Sequence, residues 1–350
     1  MKTSIIKLSE KDIDKDKKEL KKITETFKEG GLVVFPTETV YGLGANGLDK
    51  EAVKKIYEAK GRPNDNPSIL HIAKTSQLDE LVSEIPKIAK KCINNFWPGP
   101  LTIIFKKSGI VPMEVTGGLD TVAIRMPSNK IAAKILKNVN LPIAAPSANI
   151  SGRPSPTKAS HVIEDLMGRV DIIVDGGKSI VGIESTVLDV TTDPPMILRP
   201  GKVTLEDLQK IDKSIGIDNT TIDAKDKSIP KSPGQKYKHY APKGVATCFV
   251  GEMDGIVNEI NKRIKNSKGK VAVLATSQNL DKYVGADLIL NLGDRDNLEE
   301  VANSLFDLLR KCDEEKVDVI FAEGFELKGM GLSIMNRLLK ACAGRVVIGL

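Results

Sequence analysis

Leu32-Val33-Val34-Phe35-Pro36-Thr37-Glu38-Thr39-Val40-Tyr41-Gly42-Leu43-Gly44-Ala45-Asn46-Gly47 is the stretch on which the fold turns. Residues 32–35 read as a short buried strand that Pro36 ends. Gly42 to Gly47 then spell the Gly-x-Gly-x-x-Gly pattern of a dinucleotide site. That mechanism needs the first glycine at the end of the strand and a helix opening inside the motif. Here residues 36–41 intervene, and the next helical spacing (Val53, Ile56, Tyr57) begins only after Asp49, a good N-cap. The acid at a suitable distance, Asp65, sits in Arg62-Pro63-Asn64-Asp65-Asn66-Pro67 and not after a second strand. The tract is therefore read as a polar turn in a different kind of α/β sheet.

The helix after Asp49 closes on Lys60-Gly61-Arg62-Pro63, and downstream a second polar loop reads Pro146-Ser147-Ala148-Asn149-Ile150-Ser151-Gly152-Arg153-Pro154. Two cations spaced Lys-x-Arg favour a helix C-terminus by themselves. Combined with hydroxyl-rich turns they suit a phosphorylated ligand: cations offset its charge, and hydroxyls and backbone N–H groups fix its geometry. Further polar tracts fall where strands hand over to turns: Asp120 to Arg125, Ser155 with Thr157, Gly182-Ile183-Glu184-Ser185-Thr186 and Leu198-Arg199-Pro200-Gly201. Arg125 ends an apolar strand, where a cation needs an anion. No tract resembles a Ser-His-Asp triad or a metal cluster, so the chemistry expected is positioning and charge stabilisation. Asp175-Gly176-Gly177-Lys178-Ser179 ends like a P-loop but has Ile172 where the first glycine belongs, and reads as a turn.

The 350 residues allow two domains. An amphipathic helix with Ile13, Leu20, Ile23 and Phe27 on one face comes first. Strands are expected at 68–72, 101–105, 122–125, 143–145, 171–174 and 185–190, with a helix over 86–96. This mixture predicts an open twisted mixed α/β sheet over residues 1–211. Residues 212–244 are polar and contain Pro230, Pro233 and Pro242, and read as a linker. Six lysines against one acid, Asp226, fall within 225–243, which suits a solvated linker or a lid over an anion. Beyond it, strands at 245–250, 271–275, 288–290 and 317–321 alternate with helices at 254–265, 298–310 and 332–342, a smaller Rossmann-like α/β domain over 245–350.

Composition, with 41% hydrophobic and 28% charged residues, is that of an ordered globular protein. The N-terminus lacks the apolar core of a signal peptide, and no apolar run reaches the roughly 20 residues needed to span a bilayer. Cys92, Cys248, Cys312 and Cys342 are far apart, which fits a reducing compartment; a cytoplasmic location is expected.

Taken in order, Pro36 to Leu43, Lys60 to Pro63, Trp97-Pro98-Gly99-Pro100-Leu101-Thr102, Pro146 to Asn149 and Glu184-Ser185-Thr186-Val187 resemble the YrdC-like family of threonylcarbamoyl-adenylate synthases. Arg199-Pro200-Gly201 continues the likeness, and Ser232-Pro233-Gly234-Gln235-Lys236-Tyr237-Lys238-His239-Tyr240-Ala241-Pro242 resembles the linker of its longer, two-domain form. Ser333-Ile334-Met335-Asn336-Arg337-Leu338 carries it loosely into the last hundred residues.

The resemblance implies a nucleotidyltransferase that makes threonylcarbamoyl-AMP and pyrophosphate from L-threonine, bicarbonate and ATP. A separate transferase would pass the product to the tRNA adenosine beside the anticodon. It further implies that Lys60, Arg62, Ser147 and Asn149 bind ATP, with Lys60 and Arg62 catalytic, assisted by Thr121, Ser155, Arg199 and, from the linker, Tyr237. Thr37, His71, Arg125 and Ser185 would hold threonine. Mg²⁺ would come with ATP, and no protein-held cofactor is expected. Any tRNA contact should be weak or indirect, and no membrane partner is expected. Gln235, where an apolar or small residue is usual, and Ser68, where a bulkier aliphatic is usual, depart from the family pattern. The competing reading is a non-catalytic RNA-binding factor of tRNA maturation, disfavoured by the 4% aromatic content available for base stacking.

Overall fold

The computed structural model describes residues 2–218 and 240–349. Its helices are α1 (Lys17–Lys28), α2 (Lys50–Lys60), α3 (Leu78–Leu81), α4 (Lys87–Phe96), α5 (Met113–Thr116), α6 (Lys130–Val139), α7 (Ala159–Leu166), α8 (Leu205–Gln209), α9 (Met253–Asn266), α10 (Leu298–Glu314) and α11 (Gly329–Ala341). Two compact units emerge. Among the described residues, the first takes in 2–151, 155–180 and 184–218, and the second 152–154, 181–183 and 240–349.

The first unit is built on β1 (Ser4–Lys7), β2 (Val33–Phe35), β3 (Gly42–Asn46), β4 (Ile69–His71), β5 (Leu101–Lys106), β6 (Thr121–Arg125), β7 (Ile143–Ala144), β8 (Ile172–Asp175), β9 (Thr186–Asp189), β10 (Met196–Arg199) and β11 (Gly216–Ile217). They form one eleven-stranded sheet in the order β1-β8-β2-β3-β7-β4-β6-β5-β9-β10-β11. Parallel pairs (β2 with β8, β4 with β6, β5 with β9) occur with antiparallel ones (β2 with β3, β5 with β6), giving the mixed sheet expected.

Alternation of side chains sends each central strand into two cores. Val33 and Phe35 of β2, with Ile172 and Val174 of β8, pack with Leu20, Ile23 and Phe27 of α1 and Ile131, Ile135 and Leu136 of α6. Val34 and Ile173 point the other way, into a larger core with Val53, Ile56 and Tyr57 of α2. Ile13 is buried in the first of these cores but precedes α1, so the apolar face predicted there begins before the helix does.

The glycine tract after Tyr41 is a strand, not a turn. β3 pairs antiparallel with β2, Phe35 opposite Gly42. A Cβ at Gly44 would lie 2.8 Å from both Ile143 Cγ2 and Phe35 Cε1, so close backbone approach explains a strand that propensity disfavours. β1, β10, α6 and α7 were also unforeseen. Residues 216–217, inside the stretch read as linker, form β11 on β10, while residues 219–239 of that stretch, including Tyr237 and Gln235, lie outside the described residues.

The second unit holds β12 (Val245–Val250), β13 (Val271–Thr276), β14 (Leu288–Gly293), β15 (Val319–Glu323) and β16 (Val346–Ile348), all parallel, in the order β14-β13-β15-β12-β16. A core of Phe249, Ile256, Ile260, Val273 and Phe321 joins this sheet to α9, as a Rossmann-like unit requires. Among the described residues no helix is long and apolar enough to cross a membrane.

Candidate active site

The turn between β2 and β3 is wound on one hydroxyl. Thr37 Oγ1 accepts the backbone N–H groups of Thr39 (3.2 Å) and Val40 (3.3 Å), and lies 2.6 Å from Val40 O and 2.9 Å from Thr39 Oγ1. The Gly176–Ser179 turn is stitched to it. Ser179 Oγ donates to Thr37 O (3.0 Å), while Tyr41 OH donates to Gly177 O (2.6 Å) and accepts from Gly176 N (3.1 Å). The segment that imitates a P-loop thus buttresses the Thr37 turn.

α2 delivers the cation pair. Asp49 caps its start by accepting from the N–H groups of Glu51 and Ala52, and Gly61 ends it in the left-handed region (φ 59°). Lys60 is buried, and its Nζ donates to the carbonyls of Ser147 and Asn149, the latter at 2.6 Å. The same loop is held by Ala148 N on Tyr41 O (2.8 Å), Ser151 N on Lys60 O (3.0 Å) and Ile150 N on Asp165 Oδ2 (3.1 Å). The structure therefore brings Lys60 together with Ser147 and Asn149. Arg62 donates to the carbonyls of Asn66 (3.0 Å) and Pro67 (2.9 Å), with its guanidinium 5.8 Å from the Tyr57 ring centroid.

Arg125, at the end of β6, meets the anion that its burial demanded: Nη2 stands 2.7 Å from Glu38 Oε1, with side chains 4% and 7% exposed. Its Nη1 donates to Thr39 Oγ1 (2.8 Å) and its Nε to Gly99 O (3.2 Å). His71 lies opposite Arg125 in the β4–β6 register. Burial, reinforced by the Arg125 charge, pushes the imidazole pKa down to about 3, so the ring is neutral at physiological pH. On the other side, Thr102 of β5 is also opposite Arg125. Its hydroxyl lies 2.7 Å from Ser185 Oγ, onto which Arg199 Nη2 donates (3.1 Å), with Arg199 Nε on Ser185 O (3.0 Å). Ser155 Oγ donates to Glu184 Oε1, one residue before Ser185.

Thr37 and Arg125 are joined through Thr39, and Ser185 is joined to Thr102 and Arg199; the strand register sets His71 and Thr102 on either side of Arg125, and Ser155 meets Glu184 beside Ser185. Thr121 stands apart: it opens β6 opposite Lys106, roughly 13 Å along the strand from Arg125. Tyr237 lies outside the described residues. Glu38, Thr39, Thr102 and Glu184 were not singled out, although the anion required by Arg125 was a signal for the first. Ser68 has a local reason to be small and polar, since its hydroxyl lies 3.3 Å from the buried Tyr57 OH.

A family model described as "Telomere recombination" (Sua5, YciO, YrdC) matches residues 25–201, and one described as "Threonylcarbamoyl-AMP synthase, C-terminal domain" matches residues 203–343. A threonylcarbamoyl-AMP synthase of Pyrococcus abyssi is 49% identical over 324 residues, 92% of this chain and 93% of that protein. One of Bacillus subtilis is 49% identical over 322 residues, 92% of each. The crystal structure of P. abyssi Sua5 complexed with L-threonine superposes with a TM-score of 0.93 at 46% identity, covering 99% of this chain and all of that one.

Proposed function

The chain belongs to the Sua5–YciO–YrdC family, and from that premise we infer a threonylcarbamoyl-AMP synthase, a nucleotidyltransferase of tRNA modification. Its substrates are L-threonine, bicarbonate and ATP, with magnesium carried on the triphosphate. The observation that carries this reading is the strand register that sets His71 and Thr102 on either side of Arg125, with Thr37 tied to Arg125 through Thr39 and Arg199 tied to Thr102 through Ser185, in the same unit as the Lys60-clamped loop of Ser147 and Asn149.

Arg125, with hydroxyls on either side and a neutral imidazole beside it, suits an α-amino acid: the guanidinium meets the carboxylate and the hydroxyls meet the polar side chain. Lys60 and Arg62 suit the phosphates, with Ser147, Asn149, Ser155, Thr121 and Arg199 as the further polar groups for the nucleotide. Threonine's nitrogen bonds to the bicarbonate carbon, releasing water and a proton, to give a carbamate. A carbamate oxygen then bonds to the α-phosphorus as the bond to pyrophosphate breaks. No protein nucleophile is required. The work left to the chain is to align three substrates and offset charge on the phosphates. The mixed anhydride formed is labile to water, so a tRNA transferase must consume it.

Incubation with ATP, bicarbonate and labelled threonine, followed by product identification, tests this. Threonylcarbamoyl-AMP and pyrophosphate should form only when threonine and bicarbonate are both present. ATP turnover indifferent to threonine, or salt-sensitive tRNA binding without any adenylate, would overturn the assignment.

A further inference from the structure

Arg125 carries a long, flexible stem, yet the guanidinium is gripped on three sides. Nε is on Gly99 O, Nη1 on Thr39 Oγ1, and Nη2 faces Glu38 Oε1 at 2.7 Å. The third grip differs in kind from the others. The Nη2–Oε1 contact is close, but its N–H geometry falls outside that of a regular hydrogen bond, and Nη2 and both Glu38 oxygens are buried. The ion pair engages at most one of the two N–H groups on Nη2 and leaves the other without an acceptor. A buried donor without an acceptor is costly, and it marks where an absent acceptor belongs.

We propose that Glu38 is a positioning residue: its carboxylate holds the Arg125 guanidinium in the orientation that offers Nη2 to the substrate's carboxylate, and so sets the preference for an α-amino acid over a carboxylate-free analogue. This rests on the reading of Arg125 as the carboxylate-binding group.

Three observations support the role. Glu38 belongs to the Thr37 turn, so the residue that orders the hydroxyls and the one that aims the cation move as one piece. The backbone N–H groups of Glu38 itself and of Ser128 face the carboxylate; burial raises its pKa, but these groups and above all the Arg125 charge leave it below the usual range, so Glu38 stays ionised. Finally, the pair cancels charge in a buried pocket. A lone guanidinium there would attract any anion, bicarbonate and ATP phosphates included. A neutralised one selects by geometry, through donors that match a carboxylate.

The test is calorimetric titration of the full-length protein with L-threonine and with L-threoninol, which has a hydroxymethyl group in place of the carboxylate. Wild type should prefer threonine, and Glu38→Gln should reduce that preference by about tenfold, the scale of one charge-assisted hydrogen bond lost to misalignment. Arg125→Lys should reduce it too, and the double variant should lose no more than Arg125→Lys alone, because Glu38 acts through Arg125. A merely structural role would lower the competent fraction or weaken both ligands equally, leaving the ratio unchanged, and that result sinks the proposal. So do additive losses in the double variant. If Arg125→Lys also leaves the ratio unchanged, it is the reading of Arg125 that fails. Should Glu38→Gln not fold, Glu38→Asp keeps the charge with a shorter reach. It must then show a smaller reduction of the same ratio, and an unchanged ratio again overturns the role of Glu38.

Discussion

Lys60 has two tasks that one substitution cannot separate by activity alone. Its Nζ ties down the Ser147 and Asn149 carbonyls, and its charge lies where the phosphates of ATP are expected. Lys60→Ala is expected to lower turnover on the order of 10²-fold or more, as lost preorganised charge does, measured as threonine-dependent pyrophosphate release. Threonine affinity should change far less, because the proposed site gives that substrate to Arg125 and not to Lys60; a loss confined to the threonine KM would contradict the assignment. His71 offers a pH signature. Its pKa in the folded protein is about 3, against 6.5 for an imidazole free in water. Between those values the unfolded chain binds the proton and the folded one does not, so stability present above pH 6.5 is lost as pH falls towards 3. Urea unfolding at a series of pH values should show a shallower acid-side loss in His71→Leu than in wild type, by up to about 1.4 kcal/mol per pH unit within that window. Parallel slopes would mean that the ring is not held neutral.

Among the elements, β3 shows what close approach costs and permits. Gly44 lets the strand lie against Ile143 and Phe35, and through them against both neighbours in the sheet. Gly44→Ala should destabilise the protein by about 1–3 kcal/mol through overpacking, read from a lowered urea midpoint at unchanged slope. An unchanged midpoint would mean that the strand can shift at little cost. The strand matters to chemistry because it closes the Thr37 turn: Gly42 faces Phe35 at one end of the turn and bridges to Ser147 of the second polar loop. The β5–β6 pairing does similar work, setting Thr102 opposite Arg125 and, through β9, beside Ser185.

At the scale of the molecule, the second unit has its own parallel sheet and its own core, so residues 240–350 expressed alone should unfold cooperatively on heating, followed by circular dichroism; a non-cooperative melt would refute its independence. Much was legible in the sequence. The apolar strands 33–35, 101–105 and 122–125, the capped helix from Asp49 to Gly61 and the alternation after residue 245 all follow from local periodicity and punctuation. So did the inventory of cations and hydroxyls, because the chemistry a residue can do is a property of its type. The partners were another matter. Thr39 meets Arg125 across 86 residues, Thr102 meets Ser185 across 83, and Lys60 reaches Ser147 across 87. Sequence alone determined that Arg125 must have an anion, since a buried cation cannot stand without one. Only the tertiary structure decided that the anion is Glu38, because the choice depends on which distant turn the sheet folds over the guanidinium, and no local pattern encodes that closure.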